Sequence, residues 1–481
     1  MATQSCREIN QTTNRLKPDL KLLDRPVTER IVSEALELLA VAGARVENGI
    51  AHIPESLARC ALESVPNEFV LHDRGGSAVV HYGGDQVHFD PGSSCLNILD
   101  PEALQPRPAQ SSDLVRLVQL TEMLPQFTAQ STAFVCNDVP QEIGDFYRLF
   151  LVLLYGNKPV ITGAFSARTL QPMLDLLAAD AGGAEALKRS PRAVFDVCPS
   201  PPLNWSEFAA ENLLQLGRAG IPAQMVSMPL TGATAPVTLA GSVVQHAAEC
   251  ISGITIHQLA SPGAPIVWGG APAIFDMSAG CAPMGAIETV MLNMACTQVG
   301  KYLGLPTHGY LVATDSKLVD AQAGLESGIS AVLGALAGIN MISGAGMLDS
   351  LACHSLEKLV IDAEAISYAQ RLVRGVEARY ETLALSAFAQ IGLSGEFLKL
   401  KETRALFRSE QYFPSSVIQR GSEAAADGEP LRDTCCRARE RVKQVLASYH
   451  RPAIAPEREK DLLDIAKREA ARVGLPHLPG V

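Results

Sequence analysis

The sequence predicts an α/β fold, a TIM (β/α)8 barrel with helical N-terminal and C-terminal extensions. Between residues 131 and 344, seven short apolar runs, "STAFVC", "PVITGAF", "AVFDVC", "AQMVSM", "PIVWGG", "GYLVA" and "INMISG", alternate with helix-length stretches. Strands separated by such crossovers make βαβ units and a parallel sheet. No run is followed by G-x-G-x-x-G or G-x-x-x-x-G-K, the phosphate-cradling turns of open doubly wound sheets, so a closed barrel is favoured.

Residues 1–125 read as a lead-in. "ERIVSEALELLAVAGARV" has helical spacing, and the alternation in "SAVVHYGGDQVHFD" reads as a hairpin around Gly83 and Gly84. The barrel core is assigned to 126–354. Its helices show caps: "GDFYRLFLVLLYGNK" stops at Gly156, "NWSEFAAENLLQLGRAG" stops at Gly220, and the helix from "TAPVTLAGSVVQHAAEC" starts with Thr234 as N-cap and Pro236 in its first turn. The eighth strand is left open between the N-terminal hairpin and a segment after Cys353. Residues 355–481 are charged and helical, with a break at "QYFPSSVIQRGSEAAADGEP", and are expected to complete and cover the barrel.

Composition narrows the function. The 481 residues are 47% hydrophobic and 19% charged, an ordered globular balance, and the net charge of −11 carries no basic run to offset it. Nucleic acid is not an expected partner. Eleven cysteines without C-x-x-C or Cys/His spacing point to free thiols in a reducing cytoplasm, and neither H-E-x-x-H nor a similar ligand set announces a metal. The amino terminus has no apolar signal core. "SGISAVLGALAGINMISGAGML", Ser327 to Leu348, is long enough to cross a bilayer, but its glycines, Asn340 and β-branched tail fit a buried helix running into a buried strand better; no membrane association is expected.

In a parallel barrel the working residues follow the strands. One such segment, "TDSKLVDAQ" (314–322), carries Asp315, Lys317, Asp320 and Gln322 among apolar neighbours. Two readings stand: a helix capped by Thr314 or Asp315 with Lys317 paired to Asp320 on its surface, or a charged pocket rim with catalytic duties. Both tryptophans, Trp205 and Trp268, follow or end strands at that same face, with Phe165 and Tyr310 at comparable depth. Aromatic walls beside an acid suit a quaternary ammonium, which donates no hydrogen bond and is held by ring faces and negative charge; ordinary barrel packing is the alternative for each ring. The small residues of "PLTGATAPVT", with Thr231, Gly232 and Thr234, leave N–H groups open at a helix start, where a carboxylate or another anion would sit, a capped helix start being the alternative. Gly344 and Gly346 form the turn after the last run. His257, His308 and His354 are isolated and read as structural or surface residues.

The blocks "PLTGATAPVTLAGSVVQHAAECISGITIHQLASPGAPIVWGG", "TDSKLVDAQAGLESGISAVLGALAGINMISGAGML" and "LVIDAEAISYAQRLVRG" resemble the trimethylamine methyltransferase (MttB) superfamily along nearly the whole chain. The resemblance implies a barrel that moves a methyl group from a methylated amine to the Co(I) corrinoid of a cognate partner protein; the chain itself would bind no cobalamin. Archaeal members insert a pyrrolysine, which the resemblance places at or beside Leu318. Ordinary residues stand there, so the chain is similar to the non-pyrrolysine members, among them glycine betaine methyltransferases. The expected substrate is a small quaternary amine, with trimethylamine or a non-catalytic ligand-binding barrel as alternatives. Association with further copies of the chain is left open. Where the resemblance suggests a histidine, this chain has Ser343.

Overall fold

The computed structural model describes residues 20–40, 46–47, 50–51, 53–166, 168–378, 384–393, 395–420 and 432–481. The extreme amino terminus, the end of the predicted lead-in helix and half of the break at 411–430 lie outside them. Eight parallel strands form the barrel: β1 (His88–Pro91), β2 (Gln130–Ser131), β3 (Val160–Thr162), β4 (Ala193–Val197), β5 (Ala223–Met225), β6 (Ile266–Gly270), β7 (Thr307–Tyr310) and β8 (Met341–Ala345). β1 pairs with β8, and the ring closes where Thr128 N donates to Phe89 O (3.1 Å) and Cys95 N donates to Ala133 O (2.8 Å). Each strand is followed by a helix: α1 (Ser111–Met123), α2 (Gly144–Tyr155), α3 (Leu170–Ala181), α4 (Glu207–Ala219), α5 (Leu239–Ala260), α6 (Ile287–Tyr302), α7 (Ala321–Leu336) and α8 (Leu356–Arg374).

The 126–354 span supplies seven of these strands, and the eighth comes from "VHFD" within the lead-in. The hairpin expected at Gly83 and Gly84 is not formed. Ala78–Tyr82 pairs backwards with Phe69–His72, and the two glycines, at φ of +134° and +51°, turn the chain into β1. Alternation reports that a segment is a strand but not which neighbour it meets. Asn340 anchors this corner, donating to the carbonyls of Gly83, Gly84 and Gln86.

The antiparallel hairpin plugs the amino-terminal end of the barrel. Leu71, Val80 and Tyr82 pack on Ala129, Ile161, Val194, Val267 and Met341 in one apolar layer. Beside it, Asp180 meets Arg74 at 2.6 Å and Arg192 at 2.7 Å, all three side chains being buried.

The predicted caps hold at α2, which ends before Gly156, and at α4, which ends on a left-handed Gly220. α5 begins later than predicted: Thr238 is its N-cap, accepting from Gly241 N, while Leu230–Ala235 forms a separate turn. The stretch Ser327–Leu348 divides into the end of α7 and β8, and among the described residues no helix is long and apolar enough to cross a membrane. The C-terminal helices Thr434–Ala447 and Pro456–Arg472 pack on α8 and α3, and Tyr147 and Tyr155 of α2 donate to the carbonyls of Pro479 and Gly480. The open end of the barrel is therefore the carboxyl-terminal one.

Candidate active site at the carboxyl-terminal mouth

Above the plug the lumen turns polar. Alternate positions on a strand face inward, and the inward set here includes Asp90 of β1, Asp196 of β4, Gln224 of β5, His308 and Tyr310 of β7, and Ser343 of β8. Two hydrogen-bonded chains link them. His308 Nε2 lies 3.0 Å from Ser343 Oγ, which donates to Asp90 Oδ1 at 2.6 Å. Across the lumen, the plug residue Tyr82 donates to Gln224 Oε1 at 3.2 Å, and Gln224 Nε2 donates to Asp196 Oδ1 at 2.7 Å. The Tyr310 hydroxyl accepts from Ser93 N at 2.7 Å.

Burial governs the charges. It pushes the Asp90 carboxyl well above its ordinary range against the Ser343 hydrogen bond, with Asp196 adding to the rise. It pushes Asp196 up to about 7, opposed by the Gln224 hydrogen bond and the Arg148 charge. Asp196 keeps partial contact with solvent through the mouth, so water tempers that shift. His308 is driven down to about 3 and stays neutral. An entering cation reverses the balance at the acids, because a positive charge favours the ionised carboxylate.

Two cavities open over this layer. One, of about 630 Å³, is lined by Leu96, Cys136, Asp145, Arg148 and Phe165 among others; the second, of about 430 Å³, is lined by Asp196, Cys198, Met228 and again Phe165. Phe165 thus stands between them. Arg148 of α2 packs its guanidinium 4.8 Å from the Phe165 ring centre and donates through Nη1 to Ser94 Oγ and Thr132 O.

Of the residues singled out in the sequence, Phe165 and Tyr310 reach this place. The others do not. Trp268 is 1% exposed and faces outward, donating to Cys296 O and lying against Gly300 of α6; within "IVWGG" the inward positions are Val267 and Gly269, so the pleat turns the indole away. Trp205 donates to Ser252 Oγ and packs on α5. Thr231 Oγ1 donates to Ser242 in the first turn of α5, Gly232 is a left-handed turn residue, and Thr234 Oγ1 accepts from Leu230 N, so these residues close a separate turn ahead of the helix. Gly344 packs on Leu311 O, and Gly346 N donates to Asp362.

"TDSKLVDAQ" leads into a capped helix, but with a different cap and a different ion pair from those expected. Asp320 caps α7 by accepting from Ala323 N and Ser316 Oγ. Asp315 accepts from Met284 N, Gly285 N and Ser350 Oγ, which occupies both oxygens in tying three loops together. Lys317 is 77% exposed and pairs with Asp349, and Gln322 donates to Glu326 one turn on. None of the four shares a hydrogen bond with the lumen residues.

Asp90, Asp196, Gln224, His308, Ser343 and Arg148 carry the site without having been singled out as its members. A signal existed for several: an acid inside "AVFDVC", another ending "VHFD", and one arginine inside the apolar "FYRLFLVLLY". Among the described residues no group of three or more His, Cys, Asp or Glu side chains is placed to hold a metal ion.

The model of the family described as trimethylamine methyltransferase (MTTB) matches residues 21–474. The chain belongs to the trimethylamine methyltransferase family. It is 31% identical to the trimethylamine methyltransferase MttB of Methanosarcina thermophila, over 92% of this chain and 93% of that one. It is 30% identical to MttB of Desulfitobacterium hafniense strain DSM 10664 / DCB-2, over 88% and 86%. The glycine betaine methyltransferase of Desulfitobacterium hafniense strain Y51 is 27% identical over 95% of both chains. Among solved structures, the monomethylamine methyltransferase of Methanosarcina barkeri superposes with a TM-score of 0.53 at 13% identity, covering 96% of this chain and 90% of that one, a likeness of fold. The chain is a methyltransferase.

Proposed function

We propose that this methyltransferase removes one methyl group from a small quaternary amine, a betaine such as glycine betaine, and transfers it to the Co(I) corrinoid of a separate partner protein in the cytoplasm. The observation that carries the reading is the pair of inward carboxyls, Asp90 and Asp196, beneath an open mouth that also holds Tyr310 and Phe165. A lumen that gains by ionising its acids suits a permanent cation. The relative named glycine betaine methyltransferase supports the choice of substrate. That the ten described cysteines are all free agrees with a reducing compartment.

The chemistry asks for positioning. When a methyl carbon of a quaternary ammonium is attacked, the C–N bond breaks, its electron pair stays on nitrogen, and a neutral tertiary amine leaves without a proton donor. The reduced corrinoid supplies the nucleophile from the partner's side. This chain's residues hold the cation over Asp196 and Asp90, keep one methyl toward the mouth and exclude water, so that in-line geometry supplies much of the rate. Exposed apolar side chains around the mouth, Leu96, Phe165, Leu203, Met228 and Met277, offer a partner a small contact surface suited to transient docking.

Trimethylamine is the second reading, favoured by the names of the Methanosarcina relatives. Incubation with glycine betaine, a corrinoid protein and titanium(III) is expected to yield dimethylglycine and the absorption spectrum of methylated corrinoid. Turnover of trimethylamine alone would reverse the order of substrates. Ligand binding without methylated corrinoid under any reductant would leave a non-catalytic barrel.

A further inference from the structure

The fold's other buried cations each meet a carboxylate or a set of carbonyls, although Arg74 Nη1 and Arg192 Nη2 also lack hydrogen-bond partners among the described residues. Arg74 and Arg192 share Asp180, and Lys358 lies 2.6 Å from Asp362. Lys158 donates to three carbonyls, those of Thr121, Leu124 and Phe127. Arg148 has neither a carboxylate in direct contact nor three carbonyl acceptors. It is 1% exposed, its Nη1 meets two neutral oxygens, and its Nε and Nη2 have no hydrogen-bond partner among the described residues. The neighbouring carboxylate, Asp145, is spent elsewhere: Oδ1 accepts from Phe146 N, and Oδ2 accepts from Phe165 N and Thr169 Oγ1. An unpaired guanidinium in so dry a place is costly to the free protein. It also lines the larger cavity.

We propose that Arg148 is the specificity residue for an anionic group on the substrate, a carboxylate that binds Nε and Nη2 at the side of the mouth while the methylated ammonium sits over Asp196. This rests on the quaternary-amine reading and names the residue that would hold the carboxylate of the betaine. An arginine edge with two free N–H groups is matched to the two oxygens of a carboxylate. The ring of Phe165, 54% exposed, covers the guanidinium and turns aside for the ligand to reach it; its backbone stays fixed by the bond from Phe165 N to Asp145. Arg148 and Asp196 thereby read opposite ends of one molecule across the ring that separates the two cavities.

The test measures dissociation constants of three ligands of one shape: glycine betaine, its neutral carboxamide, and 3,3-dimethylbutanoate, which keeps the carboxylate but has carbon in place of the ammonium nitrogen. Wild-type protein is expected to bind betaine at least about tenfold tighter than the carboxamide. In Arg148→Met that preference disappears while carboxamide affinity is kept, and Arg148→Lys restores part of it. Equal affinity of wild type for betaine and carboxamide overturns the inference and leaves the quaternary-amine reading standing, as does a folded Arg148→Met that keeps the preference. Binding of dimethylbutanoate with neither cation bound supports the anion site and overturns the quaternary-amine reading. Binding of none of the three overturns both. Should Arg148→Met not fold, the wild-type ligand comparison decides alone.

Discussion

At the amino-terminal end of the barrel, Arg74 and Arg192 close on Asp180 at 2.6 and 2.7 Å beneath an apolar plug. At the carboxyl-terminal end, Arg148 meets two neutral oxygens and a ring, and Asp90 Oδ2 and His308 Nδ1 are left without hydrogen-bond partners among the described residues. Both ends bury charge, and only at the floor do the opposite charges touch; at the mouth Arg148 feels Asp145 and Asp196 without a direct ion pair. A buried charge with its counter-charge is a structural device; one facing a cavity without a counter-charge is a demand that a ligand can meet. We propose from this contrast that the floor serves stability and the mouth serves recognition.

The largest expected effect breaks the floor. Asp180→Asn leaves two buried guanidinium groups without their shared carboxylate and is expected to cost about 3–5 kcal/mol of stability, read by urea or thermal unfolding, with ligand affinity of the folded fraction unchanged. A melting temperature close to wild type would remove the distinction between the two ends.

At the mouth, Asp196→Asn is expected to weaken binding of a quaternary ammonium by about tenfold or more, roughly 1.4 kcal/mol upward, with little loss of stability. The same residue predicts a pH profile. Its folded-state pKa, about 7, is raised above the ordinary carboxylate value, so its contribution to stability is complete below that ordinary value and is lost as pH rises through about 7. Cation affinity runs the other way, because the carboxylate must be ionised to hold the ammonium: it climbs through about pH 7 and levels off above. Calorimetric titration from pH 5.5 to 8.5 checks the second trend, melting of ligand-free protein the first, and Asp196→Asn should flatten both.

Phe165→Leu keeps apolar bulk but removes the ring face shared by Arg148 and the ligand, and is expected to cost about 0.5–2 kcal/mol in binding, measured as a dissociation constant. Unchanged affinity would make the ring a mere cover. The smallest effects belong to "TDSKLVDAQ". Asp315→Asn should lower stability by about 1 kcal/mol through its loop contacts, and Lys317→Met should stay within about 0.5 kcal/mol. Both variants should keep wild-type kcat and KM, and a raised KM in Asp315→Asn would return that acid to the site.

What the sequence determined by itself was the succession of elements. The seven apolar runs became strands near their predicted places, α2 and α4 end at the predicted glycines, and Ser327–Leu348 is a helix passing into a strand, because local periodicity and glycine conformation act over a few residues. Tertiary structure alone decided what required two distant segments to meet. It gave "VHFD" to β8 as the first barrel strand, although its sequence neighbours suggested a hairpin. It turned Trp268 outward by the register of β6 and brought Asp90, Asp196, His308 and Ser343 inward to one another. It occupied Asp315 with three donors from other loops and left Arg148, one arginine in an apolar helix, without a carboxylate in direct hydrogen-bond contact. Pairing of this kind depends on barrel closure and on the pleat of each strand, and a residue's own neighbours in the chain carry no record of either.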